Sequence, residues 1–235
     1  MYICESNAYF MVVPQDILQF VDQLKRNNNR EWFNENKDWY NKVRGDFEQL
    51  TAELIAEISG FDDELKSLTP KECIFRIYRD IRFSYDKTPY KTYFGAYMAA
   101  KGGRKSVRGG YYLHLEPGSS FLSVGIWSPE PNLLKALRQS VYDNIEELNE
   151  IRSQKDFARY FPRFFEEDKL KNVPKGFPKD FPDAELLKLK HYLVDFPLSE
   201  DMLKAEDFVR RATDVFKTGY QFNRFLNYTV DELMD

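Results

Sequence analysis

Histidine and cysteine are scarce in this chain of 235 residues, with two of each. Cys4 and Cys73 fall in no CxxC or ligand-like spacing, which argues against a disulfide framework and suits a reducing compartment. His114 and His191 lie in no HxxxH or HExxH pattern, so no metal site is expected. GxSxG and Cys-His nucleophile signatures are missing too, and no cofactor is expected. No apolar run approaches the ~20 residues of a membrane span, and the N-terminus lacks a signal peptide's basic start and apolar stretch. We therefore expect no membrane association and a cytoplasmic location. Positive charge is not in excess either. The 34 basic and 38 acidic side chains leave a net charge of -4, against a general nucleic-acid binder acting through bulk charge. Nucleic acid is thus not an expected partner, and the oligomeric state is left open.

Aromatic residues are plentiful: 20 Phe and 15 Tyr bring the aromatic content to 16% within 43% hydrophobic residues. That composition predicts one sizeable core built from rings, and a single domain over 1–235. Residues 1–13 show no periodicity and read as a loose N-terminal arm or an upstream extension, with Met11 as the natural start.

Apolar spacing predicts a helix from Pro14 through Ile17, Phe20, Val21 and Leu24, ending at Asn27–Asn29. A second, longer helix is predicted through Trp32, Tyr40, Phe47, Leu54 and Ile58, and a third from Pro131 through Leu133, Leu137, Val141, Ile145 and Leu148. Strands are predicted over Tyr93–Ala100, Gly110–Glu116 and Ser120–Trp127, with an edge strand at His191–Phe196. Small residues at Gly95 and Ala96 leave room for a large side chain to lie across their strand. The segment with Pro162, Pro174, Pro178 and Pro182 is expected to be irregular and pinned by its aromatics. Helices are predicted over Glu200–Phe216 and Gly219–Met234. The expected fold class is α+β: a mostly antiparallel sheet of four or five strands, with N-terminal and C-terminal helices packed on one face.

The run from Arg76 to Lys91, RIYRDIRFSYDKTPYK, threads three arginines through aromatic and β-branched residues. It reads as another strand. By parity Phe75, Ile77, Ile81 and Phe83 face a core, and Arg76, Tyr78, Asp80 and Arg82 face the other way. Cys73 shares the apolar parity and reads as a buried thiol. Arg79 falls among the apolar residues, where a guanidinium needs a carboxylate or several carbonyls; a structural ion pair is expected there. In the hairpin, Tyr112, His114, Glu116, Ser123 and Trp127 share the polar parity.

Arg76, Arg79, Asp80, Arg82, Phe83, Asp86, Lys87 and Tyr90 form the pattern RxxRDxRFxxDKxxY. Together with Asn-Asn-Asn-Arg-Glu-Trp-Phe at 27–33, it resembles a family found in bacteria and some fungi, catalogued as a conserved domain of unknown function. The resemblance spans nearly the whole chain and implies no activity.

Clustered guanidinium, ammonium and phenol groups suit phosphate or carboxylate recognition. The expected ligand-binding set is Arg76, Asp80, Arg82, Lys87 and Tyr90, taking a small anionic ligand, with His114 or Asp86 as candidate proton-transfer groups. In a competing reading Asp86 caps a turn and Lys87 and Lys91 lie in solvent. The loop Lys101–Gly110, KGGRKSVRGG, lacks the spacing of a phosphate-binding loop. It reads as a mobile basic hairpin loop, and the alternative function is a noncatalytic interaction module in which the signature residues are structural and this loop contacts an acidic protein or nucleic acid.

Overall fold

The structure is a computed structural model describing residues 14–234; the expected N-terminal arm over 1–13 and Cys4 lie outside the described residues. Helices α1 (Gln15–Arg26) and α2 (Arg30–Glu35) lead into the long α3 (Lys37–Ile58). The expected continuous helix through Trp32 is interrupted at Asn36. Its side-chain amide donates to the Trp32 carbonyl at 2.9 Å, a local substitute for the helical ladder. The same device splits the helix after Pro131 into α5 (Pro131–Asp143) and α6 (Ile145–Ser153), where Asn144 donates to the Ser140 carbonyl at 3.1 Å. A short α4 (Pro70–Cys73), closed by a Thr69–Glu72 capping box, precedes the sheet.

Strands β1 (Phe94–Met98), β2 (Gly110–Leu115), β3 (Phe121–Ile126) and β4 (Tyr192–Pro197) form one antiparallel sheet in sequence order. Register sorts its side chains into two faces. Phe94, Ala96, Met98, Tyr111, Leu113, Leu115, Leu122, Val124, Ile126 and Tyr192 share the apolar face and are buried. Helices cover it. Phe47 of α3 meets Phe94, Phe216 of α10 (Phe208–Thr218) meets Tyr111, and the turn at Gly219 before α11 (Tyr220–Met234) abuts Val124. The expected helix over Glu200–Phe216 is divided, because Ala205 turns extended after α9 (Glu200–Lys204).

The proline-rich segment follows α7 (Lys155–Tyr160) and runs irregularly to α8 (Ala184–Leu187). Its aromatics pin it: Phe177 and Phe181 both contact Tyr142, and Phe165 N–H donates to the Leu193 carbonyl.

The signature run is not a strand. Residues 74–91 carry only the isolated bridges Ile74–Ala96 and Tyr78–Tyr90 and leave the sheet edge as an arm that returns at Lys91. Side chains compete with the ladder. Asp80 accepts from the Arg82 N–H and Asp86 from the Thr88 N–H, each closing a local turn. Parity therefore fails beyond Tyr78: Ile77 is buried, but Phe83, expected in the core, is 94% exposed and Tyr85 wholly so. Cys73 is buried, and burial pushes its thiol up to about 12, with Glu72 adding to the effect.

The basic loop joins β1 to β2 as a hairpin connection, and much of it is tied to neighbouring elements. It folds into a single turn over Gly103–Lys105, where Gly103, at φ 57, lies so close to α4 that a Cβ would sit 2.6 Å from the Glu72 carbonyl. Arg104 donates to the Lys71 and Glu72 carbonyls, Lys101 pairs with Asp231, and Arg108 is buried between Glu64 and Asp231. Of its four basic groups, three are therefore engaged within the fold, although only Arg108 is buried and Lys101 and Lys105 stay exposed.

Candidate functional site

The polar face of the sheet gathers most of the chemistry. Register aligns Gly95, His114, Phe121 and Pro197 on one rung and Tyr97, Tyr112, Ser123 and Asp195 on the next. Tyr112 leans across Gly95, where a Cβ would lie 2.7 Å from its hydroxyl; the small residue makes room for the ring. Tyr112, His114 and Glu116 follow at two-residue spacing and so point the same way. The Tyr112 hydroxyl lies 2.9 Å from His114 Nδ1, and His114 Nε2 lies 3.3 Å from Glu116 Oε2. A carboxylate only accepts, so Nε2 carries the imidazole proton and Nδ1 accepts from the tyrosine. Burial lowers the His114 pKa against the pull of Glu116 and raises that of Tyr112, keeping imidazole and phenol neutral.

Rings frame this chain. Tyr93 lies over His114 at 4.4 Å, Phe121 stacks on its other side at 4.7 Å, and Phe75 meets Tyr112 edge-on. Lys91, expected in solvent, is half-buried, with Nζ 5.2 Å from the Phe75 ring and 5.4 Å from the Tyr93 ring. Tyr93 thus touches both the ammonium and the imidazole. Burial, and then the charge of Arg76, lowers the Lys91 pKa. Further along, burial raises the Asp195 pKa beside Ser123, and Asp195 Oδ1 has no hydrogen-bond partner among the described residues.

The other sequence-derived candidates lie apart. Arg79 binds Asp86 and the Thr88 hydroxyl within the arm. Arg82 forks onto Asp80 at 2.7 and 3.0 Å, and Lys87 donates to the Ile81 carbonyl. Tyr90 is buried, stacked on Phe33 at 4.0 Å, with its backbone bonded to Asn28. Arg76 is exposed, and its charge acts on both Lys91 and Asp80. Among the described residues it makes no ion pair or hydrogen bond. Sequence reasoning passed over Lys91 and Tyr93 as partners of His114. Glu116 was legible from parity, whereas Lys91 required knowing how the arm returns. Among the described residues no three His, Cys, Asp or Glu groups converge as metal ligands would, and no helix is long and apolar enough to cross a membrane.

A four-stranded antiparallel sheet with helices on one face and a ring-lined histidine chain on the other defines an α+β protein with a polar sheet surface. The chain belongs to the family described as conserved hypothetical protein (DUF2461), whose model matches residues 16–225. That family is a domain of unknown function, as the resemblance implied. No curated protein and no solved structure matches the chain.

Proposed function

We propose that the polar sheet face binds a small ligand bearing a phosphate or carboxylate, held between Arg76 and Lys91, with Tyr112 and His114 as its proton-transfer pair. The observation that carries this is a pair of cations close enough to act on each other, neither of them in a salt bridge among the described residues. The Asp80 carboxylate does feel the charge of Arg76, and Lys91 is half-buried where its charge is costly. The Phe75 and Tyr93 rings offset part of that cost; an anion would relieve the rest, with a guanidinium fork and an ammonium supplying charge-assisted bonds. A proton leaving the ligand can pass to the Tyr112 oxygen as the phenol proton moves to His114 Nδ1, and Glu116 then faces the imidazolium. Arg82, Asp80, Lys87 and Asp86 shape the arm beside the site, and Arg79 holds its base.

Titration of phenyl phosphate into the protein tests this. Saturable binding is expected, with resonance shifts at Tyr93 and His114, and Arg76→Gln or Lys91→Gln should weaken it by about tenfold or more. Binding that neither variant alters would refute the assignment. The exposure of Phe83 and Tyr85 favours a second reading, in which the arm tip contacts a macromolecular partner. In that case Phe83→Ser would abolish partner binding and leave phenyl phosphate affinity intact.

A further inference from the structure

A cavity on the helical side of the sheet opens between the turn Asp63–Leu65, Arg108 and α11. Its volume is about 310 Å³, and its walls include Asp62, Arg108, Tyr220, Asn223, Tyr228 and Asp231. Most of the carboxylates here are matched. Glu64 and Asp231 clamp Arg108, Lys101 also meets Asp231, and Asp63 pairs with Lys66.

Asp62 is the exception. It is buried, accepts the Tyr111 hydroxyl at 2.9 Å and a long Glu64 N–H at 3.4 Å, and has no Lys, Arg or His within ion-pair distance among the described residues. Asn223, 1% exposed, donates to the Gly110 carbonyl, but its Oδ1 accepts from nothing. One cavity therefore holds a buried carboxylate that no cation pairs with directly, Arg108 acting on it only from a distance, and a buried carbonyl without a donor, both costly when left unmet.

We propose that this cavity binds a small alkylammonium ligand, its nitrogen donating to Asp62 and Asn223 and its carbon chain lying against Tyr220 and Tyr228. An ammonium has three donors and no acceptor, so it answers both groups at once. The phenol rings accept a cation or its adjoining methylenes on their faces. A neutral alcohol supplies a donor but leaves Asp62 uncompensated. An anion meets a wall already rich in carboxylates, two of which take both terminal nitrogens of the buried Arg108 and leave it only its Nε–H. A metal ion finds no three ligands converging among the described residues. The volume is at the small end for ligand pockets, which suits a short aliphatic chain. This site is independent of the anion site, since Tyr111 points to the apolar face and Tyr112 to the polar one.

The test is a titration of the full chain with n-butylamine and, separately, n-butanol, followed at the Asn223 side-chain amide by NMR. Saturable shifts with the amine and none with the alcohol are expected. Asp62→Asn, which keeps an acceptor for Tyr111, should weaken amine binding by about tenfold or more, while Glu200→Gln on α9 leaves it unchanged. Equal response to amine and alcohol, no saturation, or full affinity in Asp62→Asn would each overturn the proposal. If Asp62→Asn does not fold, the amine and alcohol titrations of the unsubstituted protein decide alone.

Discussion

The arm and the Lys101–Gly110 loop are both arginine-rich, yet they use the charge in opposite ways. Arg108 is 2% exposed and joins Glu64 to Asp231, so one guanidinium ties the turn after α3 to the last helix. In the arm, Arg82 has 76% of its side chain exposed and grips Asp80 two residues away, while Arg79 grips Asp86 seven residues away. A bond between sequence neighbours closes little chain and holds one turn; a bond across the fold holds elements that otherwise separate. Arginine content says nothing about which role applies. The position of the partner carboxylate does.

Breaking the clamp should give the largest effect. Arg108→Met leaves Glu64 without its cation and Asp231 with Lys101 alone, and both carboxylates are half-exposed and regain water, so about 2–4 kcal/mol is expected and not the extreme of the buried-pair range. In a chain of this size that lowers the melting temperature by roughly 5–15 °C. Thermal denaturation followed by circular dichroism checks it, and a wild-type midpoint would erase the contrast between the two regions.

Arg79 should fall between the extremes. It is three-quarters buried at the arm's base, bound to Asp86 and Thr88, so Arg79→Gln is expected to cost about 1 kcal/mol. The sharper readout is Asp86. The Thr88 N–H first, and Arg79 second, hold its carboxyl down to about 2. A depressed carboxyl contributes stability above its ordinary value, about pH 4, and loses it as pH falls through the folded value. In Arg79→Gln the Asp86 titration should therefore move up only part of the way, because the Thr88 bond remains. Carboxyl-carbon NMR titration measures this, and full return to an ordinary carboxylate value would mean that Arg79 alone set it.

The sequence made the sheet legible because hairpin alternation is local: Tyr112, His114, Glu116 and Ser123 could be assigned to one face before any coordinates. The α+β class and the helical face followed from periodicity in the same way. The arm was not legible. Its residues alternate as a strand does, but Asp80 and Asp86 bind backbone N–H groups two residues on, and alternation carries no record of that competition. The loop misled for another reason. Its glycines suggest mobility, whereas the carboxylates that fix Arg108 lie 44 and 123 residues distant and leave no trace in its own pattern. The site suffered likewise: Lys91 and Tyr93 join His114 through the return of the arm, a long-range event.

Arg82 sets the lower end of the scale. Its side chain is largely in solvent, its carboxylate partner is exposed and two residues away, and the Phe83 ring it lies over reaches no core. Exposed pairs of this kind add little, so Arg82→Gln should leave the melting temperature within about 2 °C of wild type. The substitution should also release Asp80, whose pKa is held down first by the Arg82 side chain, then by the Arg82 N–H and the charge of Arg76. With its fork gone, Asp80 is free to turn toward Arg76, and phenyl phosphate affinity should drop although stability does not. A change in affinity without a change in midpoint would mark the arm as belonging to the ligand and not to the fold. A large fall in midpoint would instead place Arg82 with Arg108, and the division between the two regions would have to be redrawn.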